Sequence, residues 1–342
     1  MALKRQSNME LLRIFAMFLI LIIHATSMAL GGLPSVEETI DNPVGTFLFF
    51  DAYGACSVGV NIFVLISGWF GIKLRAKSFA KLVFQVLFFT ILVFAILVAF
   101  DREKYLNLHT LSYVFLIPEP QLWFVKAYIV LLLFSPILNS YVENTTQKQL
   151  GIVIICFYVF QTIYGWLFLD STPWFGGGYS PLSFFGLYLL ARYLRIYPKL
   201  WYQWGFSKLT GLFLIMIFVL SIVSTLVTYY GFPIAGRLYA YSSPFMVCGA
   251  TLLLIAFSRL SFHSRIINWI AMSSFAVYLT HGHEIILRGY YAPFIGQLYN
   301  HYHGLVFISV VFLFIFVVFF TSIIIDKVRL TFWDYACKQY QK

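Results

Sequence analysis

Charge is scarce in this sequence: only 11% of its 342 residues are Asp, Glu, Lys or Arg, where a soluble domain carries roughly a quarter. That scarcity excludes a large water-soluble core. Cysteine is also sparse. Cys56, Cys156, Cys248 and Cys337 are far apart, with no CxxC or other metal-ligand spacing. Reduced thiols are therefore expected and a metal centre is not. No GxGxxG turn, Walker loop, GxSxG elbow, HExxH pair or paired-carboxylate motif stands out, which disfavours a nucleotide-hydrolysing pump.

What is abundant is apolar. Hydrophobic residues make up 61% and aromatics 20% of the chain, with 38 Phe and 23 Tyr, a composition suited to bilayer cores and interfaces. The formal charge of +10 does not imply nucleic-acid binding. The cations recur between hydrophobic runs instead of gathering on one surface.

A span needs about 20 mostly apolar residues. Ten such segments are expected, near 10–31, 46–71, 82–100, 122–140, 150–169, 180–197, 207–230, 241–258, 266–287 and 304–325. Breakers separate them: Gly31-Gly32 with Pro34, Pro118 with Pro120, Pro173 with Gly176-Gly177-Gly178, and Gly231 with Pro233. The first run is too long and too polar at Arg13 and His24 for a cleaved signal peptide, so it is expected to stay as the first helix. The chain reads as one membrane domain over residues 1–342, all-α and polytopic.

Alternate loops carry most of the cations, among them Lys4, Arg5, Lys73, Arg75, Lys77, Lys81, Lys148, Arg192, Arg195, Lys199, Lys208, Arg259, Arg265, Lys327, Arg329, Lys338 and Lys342. The other loops hold Glu37, Glu38, Asp41, Asp101, Glu103, Glu119 and Asp170. The basic set is expected on the cytoplasmic side of the plasma membrane, with both termini.

Arg13 and His24 are eleven residues apart. That is about three helical turns, which returns them to nearly one face roughly 16 Å apart. Ionisable groups at membrane depth usually face the bundle interior or a wet cavity. The pair could equally be an anchoring Arg and a His bonded to a neighbouring helix.

Four segments carry a family resemblance. Asn8-Met9-Glu10-Leu11-Leu12-Arg13, followed after ten residues by His24, resembles the first-helix signature of the acyltransferase-3 family. Phe63-Val64-Leu65-Ile66-Ser67-Gly68-Trp69-Phe70 is similar to its second-helix run, and Leu122-Trp123-Phe124 with Ser135-Pro136-Ile137-Leu138-Asn139 to its L-W-[FY] helix. Phe275-Ala276-Val277-Tyr278-Leu279-Thr280-His281 resembles its late Y-L-x-H helix. The four occur in family order over nearly the whole chain.

The resemblance implies a membrane O-acyltransferase that takes acetyl, or another short acyl group, from acetyl-CoA or another acyl-CoA. The acceptor would be a hydroxyl of a cell-surface polysaccharide or its lipid-linked precursor. No metal is expected. Many relatives end in a hydrolase-like domain; this chain ends soon after its last span, so the membrane domain is expected to complete transfer itself or with a separate polysaccharide-biosynthesis partner. Membrane lipids are expected partners and nucleic acid is not.

In that role Arg13 would pair with coenzyme A phosphates, and His24 would act as general base or transient acyl carrier. Arg75 and Arg195 are secondary candidates for the phosphates, although topology and anionic lipid explain such cations as well. If 278–288 is helical, His281, Glu284 and Arg288 share one face and form an acceptor-side seam. Lys126 either snorkels outward or turns inward to steady an oxyanion. Outer aromatics, including Trp174, Tyr179, Tyr229, Tyr230, Tyr239, Tyr241, Tyr290, Tyr291, Tyr299 and Tyr302, form an interfacial belt or stack on sugar rings. The competing function is a transporter or flippase exporting a glycan or lipid-linked precursor, which often shows internal repeats; none is evident. A structural membrane subunit is the third reading.

Overall fold

The structure is a computed structural model that describes residues 5–168, 174–198 and 203–339. Lys4, Asp170, Pro173, Lys199 and Lys342 lie outside the described residues, as does the side chain of Lys338. Among the described residues every regular element is helical. The principal helices are α1 (Ser7–Ala29), α2 (Pro43–Ser57), α3 (Gly59–Phe70), α4 (Ala76–Phe100), α5 (Trp123–Glu143) and α6 (Gln147–Thr162). They continue with α7 (Pro181–Ile196), α8 (Phe206–Tyr229), α9 (Pro244–Ser258), α10 (Arg265–Ala271), α11 (Ser274–His281), α12 (Ala292–His301) and α13 (Gly304–Gln339).

Local chemistry sets the helix starts. Thr146 and Gln149 form a reciprocal capping box ahead of α6. Ser180 and Ser243 cap α7 and α9, each followed by a proline in the first turn, where its missing N–H is no loss. Of the expected breakers, those at Gly31-Gly32 with Pro34, Pro118 with Pro120, and Gly231 with Pro233 fall between helices, and Gly176–Gly178 form a single 3-10 turn; Gly31, Gly32 and Gly231 have φ of 84°, 94° and 76°, a region open to glycine.

Among the described residues seven helical segments are long and apolar enough to cross a bilayer, with α2 and α3 running on as one 28-residue span, Pro43–Phe70. The other three expected positions hold shorter helices. α7 has 16 residues and α9 has 15, rises of about 24 and 22 Å against a hydrocarbon core of about 30 Å. The expected 266–287 span is divided into α10, α11 and a turn at Glu284–Ile286. Except for α10, where Ile266 and Trp269 are exposed, these are interior elements. α7, α9 and α11 are mostly buried, covered by longer helices whose outward rows, such as Ile91 and Ile96 on α4, Leu214 and Ile215 on α8, and Leu313 and Ile324 on α13, are exposed and apolar. Such rows suit contact with lipid, where no backbone group can be left unpaired.

α3 is the axis of the core, packed between α1, α7 and α9. At Gly68 the approach to α7 is so close that a Cβ would lie 2.5 Å from the Tyr188 carbonyl oxygen. Asn139 locks the same end: its Nδ2 donates to the Ile72 carbonyl at 2.8 Å and its Oδ1 accepts from Tyr188 at 2.7 Å. The Ser67-Gly68 and Pro136-to-Asn139 landmarks therefore bind α3, α5 and α7 together.

One topology assignment needs correction. Arg329 is not a loop cation: α13 runs on past 325, and Arg329, 1% exposed, donates to Asp326 Oδ1 at 2.7 Å. Gln85 of α4 donates to that same oxygen at 2.9 Å. The sequence pattern reads Arg329 as flanking the span because hydropathy falls there, not because the helix ends.

Candidate active site

The start of α1 is fixed from three sides. Ser7 Oγ donates to Asn268 Oδ1 at 3.1 Å, Asn8 Nδ2 donates to the Phe257 carbonyl at 3.0 Å, and the Ser264 N–H donates to Ser7 Oγ at 2.9 Å. Glu10, nearly buried, then accepts from Arg13 Nη1 at 2.7 Å and from Arg5 Nη1 at 3.1 Å. Two guanidiniums on one carboxylate leave one net positive charge. Arg13 faces a chamber of about 250 Å³ at this basic end, lined also by Ser67, Tyr128, Ser274 and Phe275.

Three turns further on, His24 Nδ1 lies 3.1 Å from His281 Nε2. His281 Nδ1 lies 2.5 Å from the Val277 carbonyl oxygen. A carbonyl only accepts, so His281 carries its proton on Nδ1 and its Nε2 is bare. His24 must then donate from Nδ1, which leaves Nε2 with a free lone pair. The backbone of α11 thus sets the tautomer of a histidine on α1. The arrangement parallels the base-and-orienter logic of acyl transfer, with a neutral imidazole as orienter.

His24 also sits where two cavities meet. The lower is a neck of about 20 Å³ lined by Met17, Ile20, Val60, Phe63, Phe124 and Phe275 among others, enough for about one water. Phe63, Phe124 and Phe275 line the Arg13 chamber as well. The upper is an outer chamber of about 420 Å³, bounded by Tyr53, Trp123, Tyr179, Tyr239, Tyr241 and Glu284 among others. Arg13, the phenylalanine neck, His24 and the outer chamber therefore lie in series along the bundle.

The outer wall is aromatic. Ring centroids of Trp123 and Tyr179 are 4.4 Å apart, and those of Tyr179 and Tyr241 4.9 Å. Asn61, buried on α3, donates to the Tyr241 carbonyl at 2.9 Å and so ties this wall to the core. Trp174, Tyr229, Tyr230 and Tyr299 are exposed and line none of the three cavities, whereas Tyr179 is exposed along the wall of the outer chamber.

The acyltransferase domain of the acyltransferase-3 family matches residues 6–327. The chain belongs to that family. It is a multi-pass membrane acyltransferase. No curated protein and no solved structure gives a significant match. Each of the family-like sequence segments lands on these chambers or on the joints that hold them: Arg13 and His24 on α1, Phe63 and Ser67 on α3, Trp123 and Phe124 on α5, Tyr278 and His281 on α11.

The other candidates are dispersed. Arg75 is an exposed residue just before α4, and Arg195 covers the Trp69 ring at 4.8 Å; neither lines the basic chamber. Lys126 Nζ reaches Glu119 at 2.5 Å and lines none of the three cavities. The continuous seam expected over 278–288 does not form. α11 stops at His281, so His281 turns toward His24, while Glu284 and Arg288 pair with each other beside the outer chamber. Gly282 and His283 end the helix before the shared face can continue. Among the described residues no group of His, Cys, Asp or Glu could hold a metal. Glu10 was not singled out from the sequence, although its place three residues before Arg13 is the ordinary spacing of a helical ion pair.

Proposed function

We propose that this chain transfers an acetyl group from acetyl-CoA, entering at the basic end on the cytoplasmic side, to a glycan hydroxyl in the outer chamber. The observation that carries this reading is the placement of His24, with its free Nε2, between a cationic chamber and an aromatic one.

Arg13 suits the anionic end of the donor. Its guanidinium is pre-oriented by Glu10 and bonds phosphate oxygens in pairs. The pantetheine arm would then run along the phenylalanine-lined passage toward His24. The neck favours a two-carbon acyl group: the space beside His24 is about 20 Å³, so any thioester must push Phe63 or Ile20 aside, and acetyl needs the smallest displacement.

In the transfer, His24 Nε2 takes the proton of the acceptor hydroxyl as its oxygen attacks the thioester carbonyl carbon. The carbon–sulfur bond breaks, and His24 returns the proton to the departing thiolate. His24 carries positive charge in between. His281 Nε2 accepts from the imidazolium throughout and needs no proton of its own. Aromatic faces of Trp123 and Tyr179 suit the apolar faces of a sugar ring, with Glu284 as hydrogen-bond acceptor.

The test is the O-acetyl content, by proton NMR, of surface polysaccharide from cells with the wild-type gene, no gene, or His24→Ala. Acetyl signals only with wild type, at equal polymer yield and equal membrane protein, are expected. Unchanged acetylation with less surface polymer would replace this reading by the exporter.

A further inference from the structure

Acyl transfer at His24 places negative charge on the thioester carbonyl oxygen, and an apolar neck offers little to meet it. Lys126, the cation expected to steady that charge, is turned away to Glu119. The oxygen must therefore find hydrogen-bond donors among the residues around His24. Apart from His24 itself, only Trp123, Tyr241 and Tyr278 among the residues lining the neck carry a side-chain donor. All three, with His24, also line the outer chamber, so they mark the place where thioester and acceptor meet.

Their existing hydrogen bonds sort them. The Tyr241 hydroxyl is engaged by that of Tyr179. The Trp123 Nε1–H has no acceptor among the described residues. Tyr278, only 7% exposed, lies one turn before His281 on α11, and its ring stands edge-on to the His281 ring with centroids 6.3 Å apart. Its hydroxyl donates to none of the described residues either. The hydroxyl oxygen instead accepts from the Phe124 N–H in the first turn of α5, which leaves the hydrogen for an acceptor in the cavity. The neighbouring backbone offers no substitute: the Trp123 and Val125 amides donate to the Pro120 and Leu122 carbonyls at 3.2 and 2.9 Å.

We infer that Tyr278 and Trp123 form the oxyanion site of the transfer, two neutral donors from α11 and α5 beside the imidazole of α1. As the acceptor oxygen bonds to the carbonyl carbon, the carbonyl π electrons move onto the carbonyl oxygen. The Tyr278 O–H and Trp123 N–H hydrogen-bond to that charge and keep their protons. Collapse restores the carbonyl, breaks the carbon–sulfur bond and sends the His24 proton to the thiolate. Neutral donors suit a depth at which an unpaired cation is costly. The helix α11 thus sets the His24 tautomer through Val277 and His281 and supplies a donor through Tyr278. This rests on the acetyl-transfer reading of His24 and adds the groups that stabilise its transition state.

The test uses the full-length protein in detergent, with acetyl-CoA as donor and surface polysaccharide from cells lacking the gene as acceptor. Tyr278→Phe and Trp123→Phe should each lower kcat about 100- to 1000-fold, the scale of one lost oxyanion donor. KM for acetyl-CoA should stay within about twofold. Infrared spectroscopy of bound S-acetonyl-CoA, a ketone that cannot transfer, isotopically labelled at its carbonyl carbon, separates this role from packing. Its carbonyl stretch should lie at lower frequency in the wild type than in either variant, because a donor weakens the carbon–oxygen bond. Should Tyr278→Phe not insert, 3-fluorotyrosine in place of Tyr278 keeps the shape, acidifies the phenol and should lower the frequency further. A kcat within about threefold of wild type in either variant, or lost activity with an unmoved carbonyl stretch, would overturn the inference. The infrared readout needs no turnover. His24-dependent transfer that can dispense with these donors defeats the oxyanion site alone, and a wild type without acetyl-CoA-dependent transfer defeats the transferase reading.

Discussion

Replacing His281 by Ala removes the acceptor of the His24 Nδ1 proton without touching the atom proposed to meet substrate. In the wild type that bond spans 3.1 Å, and it strengthens as His24 becomes charged, because hydrogen bonds to charged groups contribute about 1.5–3 kcal/mol. Losing it in the transition state should raise the barrier by that amount. At about 1.4 kcal/mol per factor of ten, kcat falls roughly 10- to 150-fold. KM for acetyl-CoA should stay within about twofold, since Arg13 lies three turns away. His281→Gln, which can offer an oxygen where Nε2 was, should recover part of the loss. The assay is steady-state release of coenzyme A thiol in membrane vesicles, normalised to protein. The His24→Ala, His281→Ala double variant should be no slower than His24→Ala alone. A His281→Ala kcat within threefold of wild type would refute the relay and return His281 to a packing role.

Arg13→Gln should raise KM for acetyl-CoA by about 10- to 100-fold with a smaller change in kcat, on the scale of one or two lost charge-assisted bonds; initial-rate kinetics read it. Phe63→Ala should enlarge the neck and increase turnover of butyryl-CoA relative to acetyl-CoA by about 10-fold or more, given roughly 1–3 kcal/mol per methylene accommodated; competition between the two donors measures it. Gly68→Val places a branched side chain where even a Cβ would lie 2.5 Å from the Tyr188 carbonyl oxygen and 2.9 Å from Ala191 Cβ. It should destabilise by about 1–3 kcal/mol, seen as a lower Tm in detergent. Arg329→Met alone should destabilise by about 3–5 kcal/mol by stranding Asp326, whereas Arg329→Met with Asp326→Leu should be close to neutral, tested by the same melts.

The helical membrane fold was legible because hydropathy depends on short windows, and lipid leaves few alternatives to a helix. The long spans α1, α4, α5, α8 and α13 fall close to their expected places. Less legible was which segments lie inside the bundle. α9 is apolar throughout and α7 has a largely apolar run before Arg192, and only their neighbours reveal them as short interior helices. Along α1 the spacing of Arg13 and His24 gave the axis of the candidate site, since helical geometry follows from residue number alone. The partner of His24 did not follow from it. His281 is 257 residues away, and its orientation depends on α11 ending at Gly282, a break that periodicity reads as continuous helix. Arg75 and Arg195 share the charge pattern of a phosphate clamp, but local sequence does not say which side of a helix borders a cavity. Arg329 was misread for the opposite reason: a polar residue within an apolar bundle resembles a loop until its partner Asp326, on the same helix and bonded also by Gln85 of α4, is seen to make one buried ion-pair site.

The most direct test of transfer through His24 is a sidedness assay in sealed, oriented vesicles that hold a glycan acceptor on the face opposite the basic end. Acetyl-labelled acetyl-CoA is supplied to one face at a time. Label should reach the enclosed acceptor only when the donor is at the basic face, and not at all with His24→Ala inserted to the same level. Equal labelling by His24→Ala, or labelling only from the opposite face, would contradict the account.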